Sequence, residues 1–288
     1  MATTPEVTSM ALFCDFENIA LGVRDANYEK FDIEKVLERL LLKGNIVVKK
    51  AYCDWERYKA FKAPMHEASF ELIEIPHLRQ SGKNSADIRM VVDALDLCYT
   101  KSHVDTFVII SGDSDFSPLV SKLRENNKVV IGVGVKNSTS DLLIANCDEF
   151  IYYDDLVREK KRTATKRGAK RTATKSRAAS PKPAGAAVPA ETPAREAPRK
   201  EESELADEAV ELVVETVDAL LAERGAEERI WGSMVKQALR RRKPGFNESY
   251  YGYRSFNALL EEAARRGELA LDRDEKSGGY LVRLVPAE

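Results

Sequence analysis

Val108-Ile109-Ile110-Ser111-Gly112-Asp113-Ser114-Asp115-Phe116 runs an apolar strand directly into a turn that carries two carboxylates. Consecutive β-branched residues bounded by Gly and Asp fit a strand buried on both faces, as in a parallel sheet. In an open α/β sheet the ligand crevice lies beyond the carboxyl ends of the strands, so Asp113 and Asp115 are expected to project there. Oxygen ligands in that position suit Mg²⁺ or Mn²⁺, hard ions that keep several waters and rest on a few carboxylates. A plainer alternative is that the turn caps the helix that follows, with Asp115 or Ser114 accepting backbone N–H bonds.

A second strand end repeats the plan. Ala11-Leu12-Phe13-Cys14-Asp15-Phe16-Glu17-Asn18 is a short apolar run that delivers Asp15 at its carboxyl end, with Asn18 three residues on. Between the two lies a stretch in which Ile88, Val91, Val92 and Leu95 recur at helical spacing and predict an apolar helix face. Asp87 falls in the first turn of that helix, near its positive end, and can point at the crevice or stand as an ordinary surface acid. Asp93 and Asp96 come later and read as solvated charges. Four carboxylates, Asp15, Asp87, Asp113 and Asp115, on one edge would repel one another without a cation, which is the physical argument for bound metal. Such an ion polarises a phosphoryl oxygen and lowers the pKa of a bound water, so no side-chain nucleophile is needed. His66, His77 and His103 have no metal-ligand spacing and no evident Ser or Cys partner.

Three blocks, DFENI (15–19), KNSADIRMVVDAL (83–95) and VIISGDSDFSPLV (108–120), follow one another over about residues 10–155. Together they resemble the NYN domain of the LabA-like (DUF88) group, relatives of the PIN-domain nucleases. The resemblance implies a PIN-like, Rossmann-like α/β domain with a central parallel sheet over residues 10–157. It also implies metal-dependent hydrolysis of RNA phosphodiesters, with Asp15, Asp87, Asp113 and Asp115 as direct or water-mediated ligands of Mg²⁺ or Mn²⁺. Asn18 matches the polar residue after the first Asp and is expected to position the scissile phosphate or the attacking water. Ser111 is expected to brace the acidic turn, and Lys83 reads as a phosphate contact or as an ordinary loop lysine. Some members of the group bind without demonstrated cleavage, so a non-catalytic RNA-binding adaptor stays open as the other reading. PIN-like nucleases are often dimers, so a homodimer stays open by analogy alone.

The 288 residues allow about two domains. No apolar run is long enough to span a bilayer, and the first ten residues lack the basic start and apolar core of a signal peptide. Cys14, Cys53, Cys98 and Cys147 lie in or beside apolar segments without CxxC pairing and read as reduced core thiols. The cytoplasm is the expected compartment.

A net charge of -2 conceals an asymmetry: Arg158 to Lys200 carries 14 Lys plus Arg against 3 Asp plus Glu, a net of +11 that leaves -13 elsewhere. That stretch holds five of the eleven prolines and almost no large apolar side chains, so residues 158–202 are expected to form a disordered linker. Within it the sequence of Lys161–Ala169 recurs with small changes at Lys170–Ala178. Such blocks neutralise phosphates and release counterions, or simply keep a linker extended.

Helical spacing returns at Leu205, Ala209, Leu212, Val213, Val217, Leu220 and Leu221, and that helix should end before Gly225. A second helix follows Ile230-Trp231-Gly232-Ser233 with Met234, Val235 and Leu239 on one face, and a third runs through Phe256, Leu259, Leu260, Ala263 and Ala264 to Gly267. Leu269–Asp272 and Gly279–Leu284 read as two strands of a wing, so residues 203–288 are expected to form a small winged helix-turn-helix domain. The segment WGSMVKQALRRRKPGFNESYYGYRSFNALLEEA (231–263) with GGYLVRL (278–284) resembles the OST-HTH/LOTUS domain, which implies an RNA-binding or protein-recruiting module. Lys236, Arg240, Arg241, Arg242 and Lys243 would form its basic face. Tyr250, Tyr251 and Tyr253 offer rings for base stacking or, with Phe246 and Phe256, for the core. DNA is the alternative target that a winged helix and a lysine-rich repeat suggest. The pairing of the two domains resembles limkain-b-type RNA regulators, in which one module would cut and the other choose.

Overall fold

The computed structural model describes residues 8–75, 85–158, 197–224, 229–274 and 278–285. Lys83, His77 and the repeated basic segment lie outside the described residues. The chain divides into two compact units.

The amino-terminal unit is a six-stranded sheet, ordered β3-β2-β1-β4-β5-β6, in which every neighbouring pair is parallel. Its strands are β1 (Ser9–Asp15), β2 (Asn45–Cys53), β3 (Glu71–Glu74), β4 (Thr106–Ile110), β5 (Val129–Gly134) and β6 (Glu149–Tyr152). All five residues of β4 are buried, as its unbroken apolar sequence requires of a strand covered on both faces. Along β1 the side chains alternate between two cores. Met10, Leu12 and Cys14 meet α1 (Phe16–Asp25), α2 (Ile33–Leu41) and α3 (Lys59–Glu67) through Ile19, Val36, Leu40 and Met65. Ala11 and Phe13 face the other way, toward Met90, Leu119 and Leu143 of α4 (Ser85–Thr100), α5 (Ser117–Glu125) and α6 (Asp141–Asn146). Phe13 stacks on Phe107 of the neighbouring strand with ring centroids 6.0 Å apart.

This topology positions the crevice. From β1 the chain proceeds to β2 and β3 on one side, then returns through α4 to β4, β5 and β6 on the other. β1 and β4 are therefore adjacent strands with diverging connections, and an open α/β sheet binds its ligand beyond the carboxyl ends of such a pair. Asp15 ends one strand; Ser111-Gly112-Asp113 follows the other.

Helix α4 lies where the spacing places it but buries a different row. Ile88 and Val92 are 62% and 55% exposed, whereas Met90, Ala94 and Cys98 face the sheet, with Val91 and Leu95 partly buried beside them. Two rows at four-residue spacing compete on this helix, and the one carrying small Ala94 and Cys98 lets the backbone approach the strands closely. Asp93 is likewise no solvated charge: it accepts from the Tyr52 hydroxyl (2.9 Å) and pairs with Arg89 (3.0 Å) and Lys50 (3.5 Å).

In the carboxy-terminal unit α7 spans Ala197–Arg224, so its first turns fall within the stretch expected as linker. It is followed by α8 (Gly232–Arg242), α9 (Phe256–Arg265) and a sheet that has three strands rather than two. Its antiparallel order is β7-β9-β8, with β7 (Ile230–Trp231) pairing β9 (Tyr280–Leu284), which pairs β8 (Leu269–Arg273). The dipeptide Ile230-Trp231 is too short for a period of two to show, which hid the third strand. Val213, Val217, Val235, Leu239, Leu259, Leu260 and Val282 form the buried interior. Gly232, Val235 and Leu239 form the buried row of α8, where a Cβ on Gly232 would stand 2.8 Å from Leu260 Cδ1, and Met234, off that row, is only partly buried. Gly267, at φ +83°, ends α9 as a glycine can without strain. All four cysteines are buried free thiols. Among the described residues no helix is long and apolar enough to cross a membrane.

Candidate active site

Asp15 has two structural tasks before any chemistry. It closes β1 and is the N-cap of α1, where its Oδ1 accepts from the Asn18 backbone N–H at 3.4 Å. Its Oδ2 accepts from the Ser111 hydroxyl at 3.0 Å, and Ser111 is wholly buried. The same Ser111 oxygen accepts from the Asp113 N–H (3.2 Å), and Asp113 Oδ1 accepts from the Asp115 N–H (3.0 Å). Asn18 Oδ1 in turn accepts from the Gly112 N–H at 2.8 Å. Both strand ends are thus laced together by short polar side chains satisfying backbone donors.

The capping alternative and the crevice placement coexist. Asp113, not Asp115 or Ser114, caps the 3₁₀ turn Ser114–Phe116. A two-residue Asx turn explains the difference: the carboxylate at the start of the turn reaches the N–H two residues on. Asp113 is half-buried and Asp115 exposed.

Gly112 makes the turn compatible with its surroundings. A Cβ there would lie 2.4 Å from the Ser138 carbonyl oxygen, and the Gly112 carbonyl accepts from Ser140 N–H at 2.9 Å. The loop after β5 therefore presses directly against the acidic turn.

The carboxylates feel one another. Burial pushes the Asp15 carboxyl up to about 7, and the negative charge of Asp87 adds to this against the Ser111 and Asn18 hydrogen bonds, with a smaller contribution from Asp113. Asp87, half-buried in the first turn of α4, is pushed up to about 6 by burial and then by Asp113, Asp115 and Glu17. All four predicted acids, with Glu17 as a fifth, therefore share one electrostatic neighbourhood. Among the described residues, no three acidic, histidine or cysteine side chains gather closely enough to enclose a metal ion by themselves. The chemistry of an all-carboxylate donor set suits a hard divalent ion held by one or two oxygens and completed by water, the coordination Mg²⁺ favours.

Two residues of this rim escape a reading confined to the ends of β1 and β4. Glu17 stands two residues after Asp15, and Arg57, in the turn after β2, pairs with it at 3.2 Å. The available signal was β2 itself, whose Tyr52 is in register with Asp15. Asn18 and Ser111 are present as braces, while Lys83 lies outside the described residues.

In the carboxy-terminal unit Lys236 is drawn inward: it pairs with Glu248 at 2.7 Å and sits over the Phe256 ring. Arg240 is half-buried, and Arg241, Arg242 and Lys243 are exposed. Tyr250, Tyr251 and Tyr253 are all half-buried; the Tyr251 hydroxyl donates to Glu208 (3.4 Å) and the Tyr253 hydroxyl to the Ala206 carbonyl (3.5 Å).

Fold and site together define a three-layer α/β protein of PIN-like architecture, with an acidic crevice at the switch point of a parallel sheet. The NYN domain matches residues 9–154, and the chain belongs to that family of PIN-like nucleases. An uncharacterised protein of Methanocaldococcus jannaschii is 29% identical over 113 residues, 39% of this chain and 43% of its own length. The chain thus spans less than half of that curated relative. A crystal structure of a protein of unknown function from Vibrio parahaemolyticus is similar over 54% of this chain and 98% of its own, with 26% identity and a TM-score of 0.48.

Proposed function

We propose that this chain is a metal-dependent ribonuclease of the LabA-like branch of the NYN family, brought to RNA by its basic linker and its carboxy-terminal unit. The observation that carries the reading is the lacing of Asp15 to the Asp113–Asp115 turn through Ser111 at the sheet's switch point, where burial first and neighbouring acids second push the carboxyls of Asp15 and Asp87 up. Buried acids that repel one another favour a cation between them. Asp15 and Asp113, fixed by Ser111 and by the turn, would hold Mg²⁺ or Mn²⁺ with Asp87 and Asp115 acting through water. When bound, such an ion supplies a water of lowered pKa and neutralises charge on the phosphate. Ser111 keeps the Asp15 carboxylate in one orientation. The carbonyl of Asn18 is engaged by Gly112, which leaves its amide N–H₂ group to donate to a phosphate oxygen or to the attacking water.

The helices followed by an antiparallel sheet in the carboxy-terminal unit support a winged-helix module of OST-HTH/LOTUS type. The exposed Arg241 and Lys243, at and after the end of α8, are the side chains we assign to RNA phosphates, with Arg240, Arg242 and Lys236 contributing to the field. Four buried thiols support action in a reducing compartment such as the cytoplasm.

The test is cleavage of single-stranded RNA by the purified full chain in Mn²⁺ or Mg²⁺ against chelator, with Asp113→Asn in parallel. Metal-dependent cleavage that the substitution abolishes is expected. RNA binding without cleavage would favour the adaptor reading, and equal affinity for duplex DNA in competition at stated salt would overturn the choice of RNA.

A further inference from the structure

The acidic rim has a cation beside it. Strand β2 flanks β1 on the side opposite β4, so the turn after β2 borders the crevice across from the Ser111–Asp115 turn. That turn is rigid at its root: Trp55 is buried, its backbone N–H donates to Glu74 Oε1 (2.9 Å) and its indole N–H to the Ile73 carbonyl (3.2 Å). Asp54 accepts from the backbone of Glu56 and Arg57, at 3.1 Å each. Phe16, next to Asp15, packs on Trp55 and Tyr58 with centroids 4.9 and 5.6 Å away. From this base the Arg57 guanidinium extends, 52% exposed, and its Nη1 donates to Glu17 Oε1. Glu17 in turn is close enough to the crevice for its charge to raise Asp87.

We propose that Arg57 is a substrate-binding residue that grips a phosphate of the RNA strand beside the scissile one, and that Glu17 holds the guanidinium in place until the phosphate displaces it. A carboxylate presents two oxygens to an arginine fork much as a phosphodiester does, so Glu17 is a chemical stand-in for the phosphate. An ion pair this exposed contributes little to stability, which leaves the pair without a strong structural purpose. A polyanion entering an acidic crevice meets repulsion on the β4 side, and Arg57 is positioned to oppose it from the β2 side.

This inference rests on the nucleic-acid reading of the crevice, and its test separates the two. The full chain, Arg57→Gln, Glu17→Gln and the double variant are compared on a labelled single-stranded RNA hexanucleotide. Initial rates are measured in Mn²⁺. The Ca²⁺-dependent part of equilibrium binding is measured separately, with the label checked to remain intact. Arg57→Gln is expected to raise KM about five- to tenfold with kcat changed less than about twofold, and Glu17→Gln to lower KM about two- to threefold by releasing the guanidinium. The double variant should follow Arg57→Gln. If the pair were only structural, both single variants would shift KM and thermal stability in the same direction; that outcome, or no change in either, overturns the proposal. If the unaltered protein cleaves nothing in any metal, the hydrolase reading falls. The Ca²⁺-dependent binding then decides alone: weaker for Arg57→Gln and tighter for Glu17→Gln upholds phosphate capture, and any other pattern ends it.

Discussion

Asp15 shows what it costs the fold to hold an acid at the end of a buried strand. Its carboxyl sits at about 7 in the fold, against an ordinary 3.8. The folded state therefore retains the proton longer than the unfolded chain, and its stability falls as pH rises between those values before levelling off above about 7. The loss for this buried group is on the order of 4 kcal/mol, and Asp87, also raised, acts in the same direction. Urea unfolding of the metal-free protein at pH 5 and pH 8 should show the decline, and Mn²⁺ should restore more stability at pH 8 than at pH 5. Asp15→Asn removes the charge while keeping an acceptor for Ser111 or Asn18. It should stabilise the metal-free protein at pH 8 by about 1–3 kcal/mol and abolish cleavage. Ser111→Ala has the opposite character: it deletes a donor to Asp15 and an acceptor for Asp113 N–H, so melting should show a loss of about 1–3 kcal/mol. Asp15, Asp87, Asp113 and Asp115 were legible because strand ends and a helix start are marked in the sequence. Glu17 and Arg57 were not, because their relation crosses from α1 to the turn after β2 and has no local pattern.

Helix α4 separates periodicity from burial. Its existence and the crevice-side place of Asp87 follow from local spacing, but which apolar row meets the sheet depends on what lies opposite. Met90→Ala should cost about 2–5 kcal/mol in chemical unfolding, whereas Ile88→Ser should stay within about 0.5 kcal/mol. Equal effects would contradict the orientation described. The acidic turn carries a similar contrast. Nothing in the local sequence says that Gly112 faces another loop, yet a Cβ there would collide with the Ser138 carbonyl. Gly112→Ala should lose about 1–3 kcal/mol and impair cleavage together, because relief of the clash displaces the backbone that presents Asp113.

Across the whole molecule the charge is divided: five acids border the crevice, and the surplus of positive charge lies between Arg158 and Lys200. An acidic site attracts RNA poorly without help, and a basic segment on the same chain raises the local concentration of the polyanion. Replacing the eight Lys and Arg residues between Lys161 and Arg177 by Gln should weaken RNA binding and flatten its dependence on salt. Each lost phosphate contact should reduce the slope of log affinity against log salt by about 0.7. An unchanged slope would mean that those residues make no phosphate contacts.

By itself the sequence determined the elements and the residue types at their ends. Short β-branched runs such as Val108–Ile110 favour a strand buried on both faces, and Asp and Gly mark where such runs stop. It also determined the charge division, since composition needs no folding to be read. The tertiary structure decided which acids share a field, which row of α4 is buried, that Ile230-Trp231 forms a third strand, and that Arg57 stands beside Glu17. Those are relations between segments distant along the chain, set by strand order and by the packing of two cores against one sheet, and no local spacing encodes them.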